Sequence, residues 1–170
     1  MGCRNIIFLE DDGYIEYQSK CDLSYGKFKS SRNGCGWIAF YNLYRTIYGQ
    51  QMAEDFLETI RKRFDATVNF WGIFGTSIFD MAVHLRRQYN NRTVKIRTRL
   101  MKSHYSGNLP RYGIIYYFTG HSLHYVAFER NGWEFIFHNV ESKITTKSID
   151  EFEDKYIKFK HYLLFELEEI

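Results

Sequence analysis

The sequence predicts an α+β domain, and three observations support this prediction. Apolar positions with helical spacing fall in the first half of the chain, short strand-like runs fall in the second half, and an Asn-Gly turn joins two of those runs. The chain of 170 residues has the length of one domain, and no Ser/Gly-rich linker divides it. We therefore expect residues 1–170 to form a single domain in which a helical part packs on an antiparallel sheet.

Composition narrows the class of protein. The chain is 45% hydrophobic and 19% aromatic, which excludes a disordered chain, and its net charge of +3 gives no reason to expect a nucleic-acid partner. Its three cysteines are odd in number and include no Cys-x-x-Cys pair, so we expect no disulfide framework and no cysteine zinc site. A reducing, cytoplasmic compartment fits this cysteine usage. No apolar run is long enough to span a membrane.

The first half of the chain predicts two short strands and then three helices. The strands flank the turn Asp11-Asp12-Gly13, and a polar loop over 19–33 separates them from the helices. Apolar positions three or four residues apart mark the helices, and a capping box at Ser77 opens the third. The predicted strands are 5–9 and 14–18, and the predicted helices are 38–48, 52–64 and 77–89.

The second half begins with a strand that has a basic outer face. From Val94 to Leu100, apolar residues alternate with Lys95, Arg97 and Arg99. We favour an edge strand that its cations protect from pairing with other chains. The alternative is a binding site for an anionic partner, either an acidic peptide or a phosphate backbone. No aromatic-interleaved RNA motif accompanies the strand, so nucleic acid is not the expected partner.

The Asn131-Gly132 dipeptide predicts a β-hairpin and its register. If these two residues form the turn, stepping outward along the strands places His124 opposite Asn139 on one face of the sheet, with His138 on the other face. The remaining predicted elements are a strand over 114–118, a helix from the capping box at Ser148 to about 157, and a last strand over 162–166.

Cys35 lies between Gly34 and Gly36 at the first turn of a predicted helix. Unpaired N–H groups and the positive end of the helix dipole favour a thiolate at such a position. A nucleophilic cysteine needs a histidine base, and that histidine needs a group that fixes its ring. His124 and Asn139 meet both needs, so Cys35, His124 and Asn139 are the predicted catalytic residues. The alternative is a small buried cysteine and an ordinary polar pair across two strands.

These motifs resemble the papain-like cysteine peptidases, and within that superfamily the bacteriocin leader-processing, or double-glycine, peptidases. The resemblance rests on the run 33–37 (Asn-Gly-Cys-Gly-Trp) opening a helix, on the run 124–128 (His-Tyr-Val-Ala-Phe) on a strand, and on Asn139 on the next strand. It implies a papain-like fold, with Cys35 as the nucleophile, His124 as the base and Asn139 as the orienting residue. The bacteriocin-processing group usually has an aspartate in the third place, whereas papain has asparagine.

One position departs from the family pattern. The family's oxyanion-hole glutamine lies six residues before the cysteine, where this chain has Lys29. The Cys35 N–H group supplies one oxyanion donor, and Asn33 or Gln18 is the candidate for the other. Because losing one such donor costs about 10²–10³ in rate, this departure bears more on efficient proteolysis than on the fold.

The sequence thus predicts a cysteine peptidase or amidohydrolase that acts on a peptide or protein substrate through a thioester, with no metal or organic cofactor. The candidate walls of its cleft are Trp37, Trp71 and Phe74. Two alternatives stay open. The same site could transfer the acyl group to an amine, as a transglutaminase does. The chain could also be a binding module that has lost catalysis, which Lys29 and the basic strand suggest.

Overall fold

A computed structural model of the protein describes residues 7–68, 75–90, 94–104 and 109–169. Within these ranges the helices are α1 (Ser30–Asn33), α2 (Cys35–Tyr48), α3 (Gln50–Asp65), α4 (Ile78–Tyr89) and α5 (Ile149–Tyr156), with a 3₁₀ turn at Gln18–Lys20. The strands are β1 (Ser24–Tyr25), β2 (Phe28–Lys29), β3 (Val94–Lys102), β4 (Tyr112–Phe118), β5 (Leu123–Asn131), β6 (Glu134–His138), β7 (Ile144–Thr146) and β8 (His161–Glu169).

Six strands form one antiparallel sheet in the order β3-β8-β4-β5-β6-β7, and β1 and β2 form a separate short hairpin. The three longest helices, α2, α3 and α4, precede this sheet in the chain. This architecture confirms the predicted α+β class. Among the described helices, none combines the length and the hydrophobicity that a membrane span requires.

The two faces of the sheet are covered by different helices. On one face, Tyr125 and Ala127 belong to an apolar cluster with α2, which is buried over 36–44 because it also packs against α3. On the other face, Val126 and Phe128 belong to a second cluster with Phe152 of α5. Successive residues of a strand point to opposite faces, so β5 contributes to both clusters.

The helices follow the predictions, with small differences. Helix α2 begins three residues earlier than predicted and ends before Gly49, whose φ of +88° ends the helix. Helix α4 has the predicted Ser77 cap, which accepts a bond from the Asp80 N–H group at 3.0 Å. On α3, Ile60 and Phe64 are buried as their helical spacing predicts, whereas Met52 is exposed, and Ala53 and Leu57 complete the buried face.

The predicted strand over 14–18 is not present, although the Asp11-Asp12-Gly13 turn is. Glu10 and Tyr14 close that turn with a main-chain bond of 2.9 Å. Beyond it, the N–H and C=O groups of Ile15 bind the side chain of Asn42, each at 2.9 Å. A buried amide on α2 therefore replaces a neighbouring strand as the partner of this segment. The earlier predicted strand begins at 5 and lies partly outside the described residues.

The predicted register of the β5–β6 hairpin is wrong by two positions. Strand β5 runs through Asn131, which pairs with Glu134, so the turn residues are Gly132 and Trp133. Gly132 has a φ of +62°, and a positive φ at the first turn position is the pattern of a type II′ turn. Phe128 consequently faces Phe137. A shift of two positions leaves each side chain on its predicted face.

The basic strand β3 is an edge strand, as predicted, and pairs only with β8 among the described strands. Its cations are matched by acidic residues on that neighbour. Arg97 pairs with Glu168 at 2.7 Å, and Arg99 pairs with Glu166. These ion pairs neutralise charge that the alternative interpretation assigned to an anionic partner, so the structure favours the protected edge.

Candidate active site

Cys35 is the first residue of α2 and is partly buried. The glycines on either side of it allow close packing of the main chain. A Cβ on Gly36 would lie 2.2 Å from Oγ1 of Thr76, and one on Gly34 would lie 2.6 Å from the carbonyl oxygen of Ser30. Neither position has room for a side chain. The sequence motif around the cysteine is therefore explained by packing, and it fixes where the helix begins.

His124 lies near the start of β5, and its side chain interacts with that of Cys35. Nε2 of His124 lies 2.7 Å from the main-chain oxygen of Asn139. A carbonyl only accepts, so Nε2 carries a proton, and Nδ1 is left to face the thiol. Burial disfavours the charged imidazole, but the side chain of Cys35 and the Asn139 carbonyl outweigh it and raise the pKa of His124 above its ordinary value of 6.5.

Asn139 contacts the histidine through its main chain. The prediction that its side-chain amide accepts the imidazole bond is wrong, because Oδ1 of Asn139 instead accepts a 3.0 Å bond from the Gln18 N–H group. Strand β6 ends at His138, and Asn139 follows with a left-handed φ of +70°. This conformation directs the Asn139 carbonyl to His124, and asparagine adopts it more readily than most residues do.

Two buried residues behind Asn139 complete the arrangement. Glu16 places one carboxylate oxygen 2.6 Å from Nδ1 of His138 and the other 2.8 Å from the Asn139 N–H group. His138 lies on the opposite face of the sheet from His124, as predicted. It pairs with Ala127 on the face that α2 covers, and it stacks on Tyr14 with ring centroids 3.8 Å apart. Glu16 matches no motif, and the only sequence signal for it is an acidic residue between apolar neighbours in the run 14–17.

The ionisable groups around His138 favour its charged form. Burial lowers the pKa of His138, but Glu129 and Glu16 outweigh burial and raise it above the ordinary 6.5. Glu129 lies 3.8 Å from Nε2, beyond hydrogen-bond distance, and acts through its charge. In return, His138 lowers the pKa of Glu129.

The two oxyanion-hole candidates make different contacts in the chain that leads to Cys35. The Gln18 amide Nε2 donates to the main-chain oxygens of Ser30 and Ser31 in α1, at 3.0 and 3.4 Å. Gln18 thus joins Asn139 to the helix that precedes the cysteine. Asn33 is the last residue of α1, and its main-chain oxygen lies against Gly75.

The cleft prediction is wrong for one residue and lies outside the described residues for the others. Trp37 is fully buried, and its indole Nε1 donates to Oγ of Ser30 at 3.1 Å, so it is a core residue. Trp71 and Phe74 lie outside the described residues. Lys29, at the position where the family has glutamine, is an exposed residue that pairs with Asp22.

Two further features do not include the Cys35 site. A cavity of about 340 Å³ is lined by acidic and other polar residues of the 10–17 segment, Glu16 among them, and by Ser142 and Lys143, but neither Cys35 nor His124 contributes to it. His104, Asp150 and Glu153 are the one group in the described ranges whose potential metal-ligand atoms all lie within 4.8 Å of one another. The chemistry of Cys35 and His124 requires neither feature.

The chain matches no protein-family model, no curated protein and no solved structure.

Proposed function

We propose that the protein is a papain-like cysteine peptidase or amidohydrolase with Cys35 as nucleophile and His124 as base. The observation that carries this proposal is the position of His124, whose side chain interacts with Cys35 and whose Nε2 is held 2.7 Å from the main-chain oxygen of Asn139. A nucleophile, a base within hydrogen-bond reach and a group that orients the base are the three parts that covalent catalysis by cysteine requires. The start of a helix at Cys35 adds main-chain N–H groups that favour negative charge.

The proposed reaction has two stages. The Cys35 thiolate attacks the carbonyl carbon of a peptide or amide, and the C–N bond then breaks as His124 gives the Nδ1 proton to the leaving amine. This leaves a thioester on Sγ. A water molecule then attacks the thioester while His124 takes one of its protons, and the C–S bond breaks, which releases the acid product and restores the Cys35 thiolate beside a protonated His124. No metal or organic cofactor takes part in these steps.

The negative charge on the substrate oxygen during each attack requires hydrogen-bond donors. The N–H group of Cys35 supplies one, and the second comes from Asn33 or Gln18. Gln18 is held beside Asn139 by its main-chain N–H group, but its amide Nε2 already donates to the Ser30 and Ser31 oxygens and would have to give up one of these bonds to serve. Asn33 is nearer in sequence. Replacing the correct one by Ala should lower turnover by about 10²–10³, whereas the other variant should keep most of its turnover.

The test of the proposal is a peptide vinyl sulfone, which traps a reactive cysteine covalently, followed by mass spectrometry of the protein. We expect a single adduct on Cys35. Cys21 is the internal control, because it is fully buried and burial raises its pKa to about 11. The His124→Ala variant should react more slowly by about 10²-fold, and His84→Ala, which alters another buried histidine, should react like wild type.

The two alternatives give different results in the same experiments. A chain that has lost catalysis would label Cys35 at the same rate in wild type and in His124→Ala, and this would contradict the proposal. An acyltransferase would label like a peptidase but would form an amide product when an amine is added to a peptide substrate. Product analysis with and without the amine therefore separates hydrolysis from acyl transfer.

A further inference from the structure

The segment that carries Glu16 is attached to the helix that begins with Cys35. Asn42 of α2 is fully buried, and its amide binds both main-chain groups of Ile15 at 2.9 Å. One residue earlier on the same helix, the hydroxyl of Tyr41 donates to the main-chain oxygen of Gly13 at 2.9 Å. The backbone next to Glu16 is therefore fixed with respect to α2.

Glu16 extends this attachment to the other side of the site. It is 2% exposed, and its two carboxylate oxygens bind Nδ1 of His138 and the N–H group of Asn139. The carbonyl of that same Asn139 accepts the bond from His124. A continuous series of buried hydrogen bonds thus connects the nucleophile helix to the carbonyl that orients the base.

We propose that Glu16, held by His138, is a positioning residue that fixes the Asn139 carbonyl and through it the ring of His124. This inference rests on the proposed function, because it assigns a role within that site. Glu16 touches neither the substrate nor the reacting atoms. It acts by keeping Asn139 in its left-handed conformation, so that Nδ1 of His124 stays directed at Cys35.

The length of the side chain is what this role requires. In Glu16→Asp the carboxylate is one methylene shorter and cannot reach both His138 and the Asn139 N–H group. In Glu16→Gln the side chain keeps its length, its oxygen can accept from Asn139, and its amide can donate to a neutral His138. Both changes are milder than Glu16→Ala, which would leave His138 buried without its carboxylate.

The chain offers a matched control at Glu153. This residue is 1% exposed and also accepts a main-chain N–H bond, at 2.5 Å, from a residue with positive φ, His104 at +63°. It shares no hydrogen bond with the Cys35 site among those described. Glu153→Asp therefore reproduces the loss of a buried carboxylate contact without altering the orientation of His124.

The experiment measures the rate at which iodoacetamide modifies Cys35 at about pH 6 and at about pH 9, in variants shown by circular dichroism to be folded. At the higher pH a cysteine reacts without help, whereas at the lower pH it reacts mainly when a histidine is paired with it. The ratio of the rate at the lower pH to the rate at the higher pH therefore measures how far His124 activates Cys35. A purely structural role for Glu16 would lower the melting temperature and leave this ratio unchanged.

We expect Glu16→Asp to lower the ratio by about tenfold or more, by analogy with the effect of removing a partner that orients a metal-binding histidine. Glu16→Gln and Glu153→Asp should stay within about threefold of wild type. An unchanged ratio in Glu16→Asp would overturn the positioning role and leave the proposed function standing. A wild-type protein with no extra reactivity at the lower pH would overturn the proposed function, and the positioning role with it.

Discussion

Asn139 is a single residue whose main chain and side chain serve different partners. Its carbonyl binds His124, and its side chain accepts from Gln18. A left-handed conformation costs most residues with a side chain about 1–2 kcal/mol, but glycine pays no such cost. The role of this position therefore depends on backbone conformation more than on the amide group.

We expect Asn139→Gly to retain more activity than Asn139→Ala, since glycine keeps both the left-handed φ and the carbonyl. Asn139→Asp should stay close to wild type, because a carboxylate oxygen can also accept from the Gln18 N–H group. The measurement is the rate of Cys35 labelling at about pH 6 in the three variants. Equal losses in the Gly and Ala variants would show that the side-chain amide is what matters.

At the scale of elements, the start of α2 is packed so closely that Gly36 has no room for a methyl group. A Cβ there would lie 2.4 Å from Cβ of Thr76, and Thr76 is itself held by the hydroxyl of Tyr25 at 2.7 Å. Helix propensity alone would make Gly36→Ala stabilising by up to about 1 kcal/mol. Overpacking should dominate and destabilise the fold by about 1–3 kcal/mol.

A double-mutant cycle checks this expectation by urea denaturation. Thr76→Gly removes the atoms that a new methyl group would meet, so Gly36→Ala should cost much less in the Thr76→Gly background than in wild type. Equal costs of Gly36→Ala in the two backgrounds would show that the close approach to Thr76 is not the reason for glycine at this position.

The edge strand β3 forms two ion pairs, one with a buried carboxylate and one exposed to solvent. This difference leads to a second prediction about a secondary-structure element. Glu166 is buried, so Arg99→Ser leaves a carboxylate without one of its cations and should cost about 1–3 kcal/mol. The Arg97–Glu168 pair is exposed on both sides, and Arg97→Ser should cost less than about 1 kcal/mol.

Both arginine variants should keep the labelling rate of Cys35, because neither residue belongs to the site. Stability is measured by urea denaturation at low and high salt, and labelling by mass spectrometry. A large loss of partner binding or activity in Arg97→Ser that also depended on salt would instead support an anionic partner on this strand.

For the whole molecule, local patterns predicted elements better than they predicted contacts. The apolar spacing and the Ser77 and Ser148 caps located α4 and α5, because both signals act within one turn of a helix. The hairpin register depended on which two residues make the turn, and Asn-Gly was compatible with either choice. One polar neighbour decided the structure of the 14–18 segment, since Asn42 took the place of a strand.

The residues of the candidate site show the same difference between local patterns, which the sequence predicts, and long-range contacts, which it does not. Cys35 and His124 could be found from motif and spacing, since a helix start and a strand position are local properties. Glu16 could not, because its partners His138 and Asn139 are 122 and 123 residues away in the chain. Nothing local distinguishes a glutamate that binds a buried histidine from one that is solvated.

The cluster of His138, Glu16 and Glu129 connects distant parts of the chain, so its ionisation affects the stability of the whole fold. The pKa of His138 is raised above its ordinary 6.5, so its contribution is full below that pH and is lost as pH rises through the higher folded pKa. The pKa of Glu129 is lowered by His138 from its ordinary 4.5, so its contribution is full above that pH and is lost as pH falls through the lower folded pKa. The cluster therefore stabilises the fold most between about pH 4.5 and 6.5.

The variant His138→Phe tests this prediction, since phenylalanine can keep the stacking on Tyr14 but cannot ionise. The free energy of unfolding is measured in urea at about pH 5.5 and 8.5, in a Cys35→Ala background that removes the Cys35–His124 pair from the comparison. We expect the chain that keeps His138 to lose stability relative to the His138→Phe variant as pH rises. The reason is that the folded state binds the His138 proton more tightly than the unfolded state does, and phenylalanine has no such proton. A stability difference that stayed constant between the two pH values would mean that His138 keeps one charge state throughout and that its carboxylate partners do not control its ionisation.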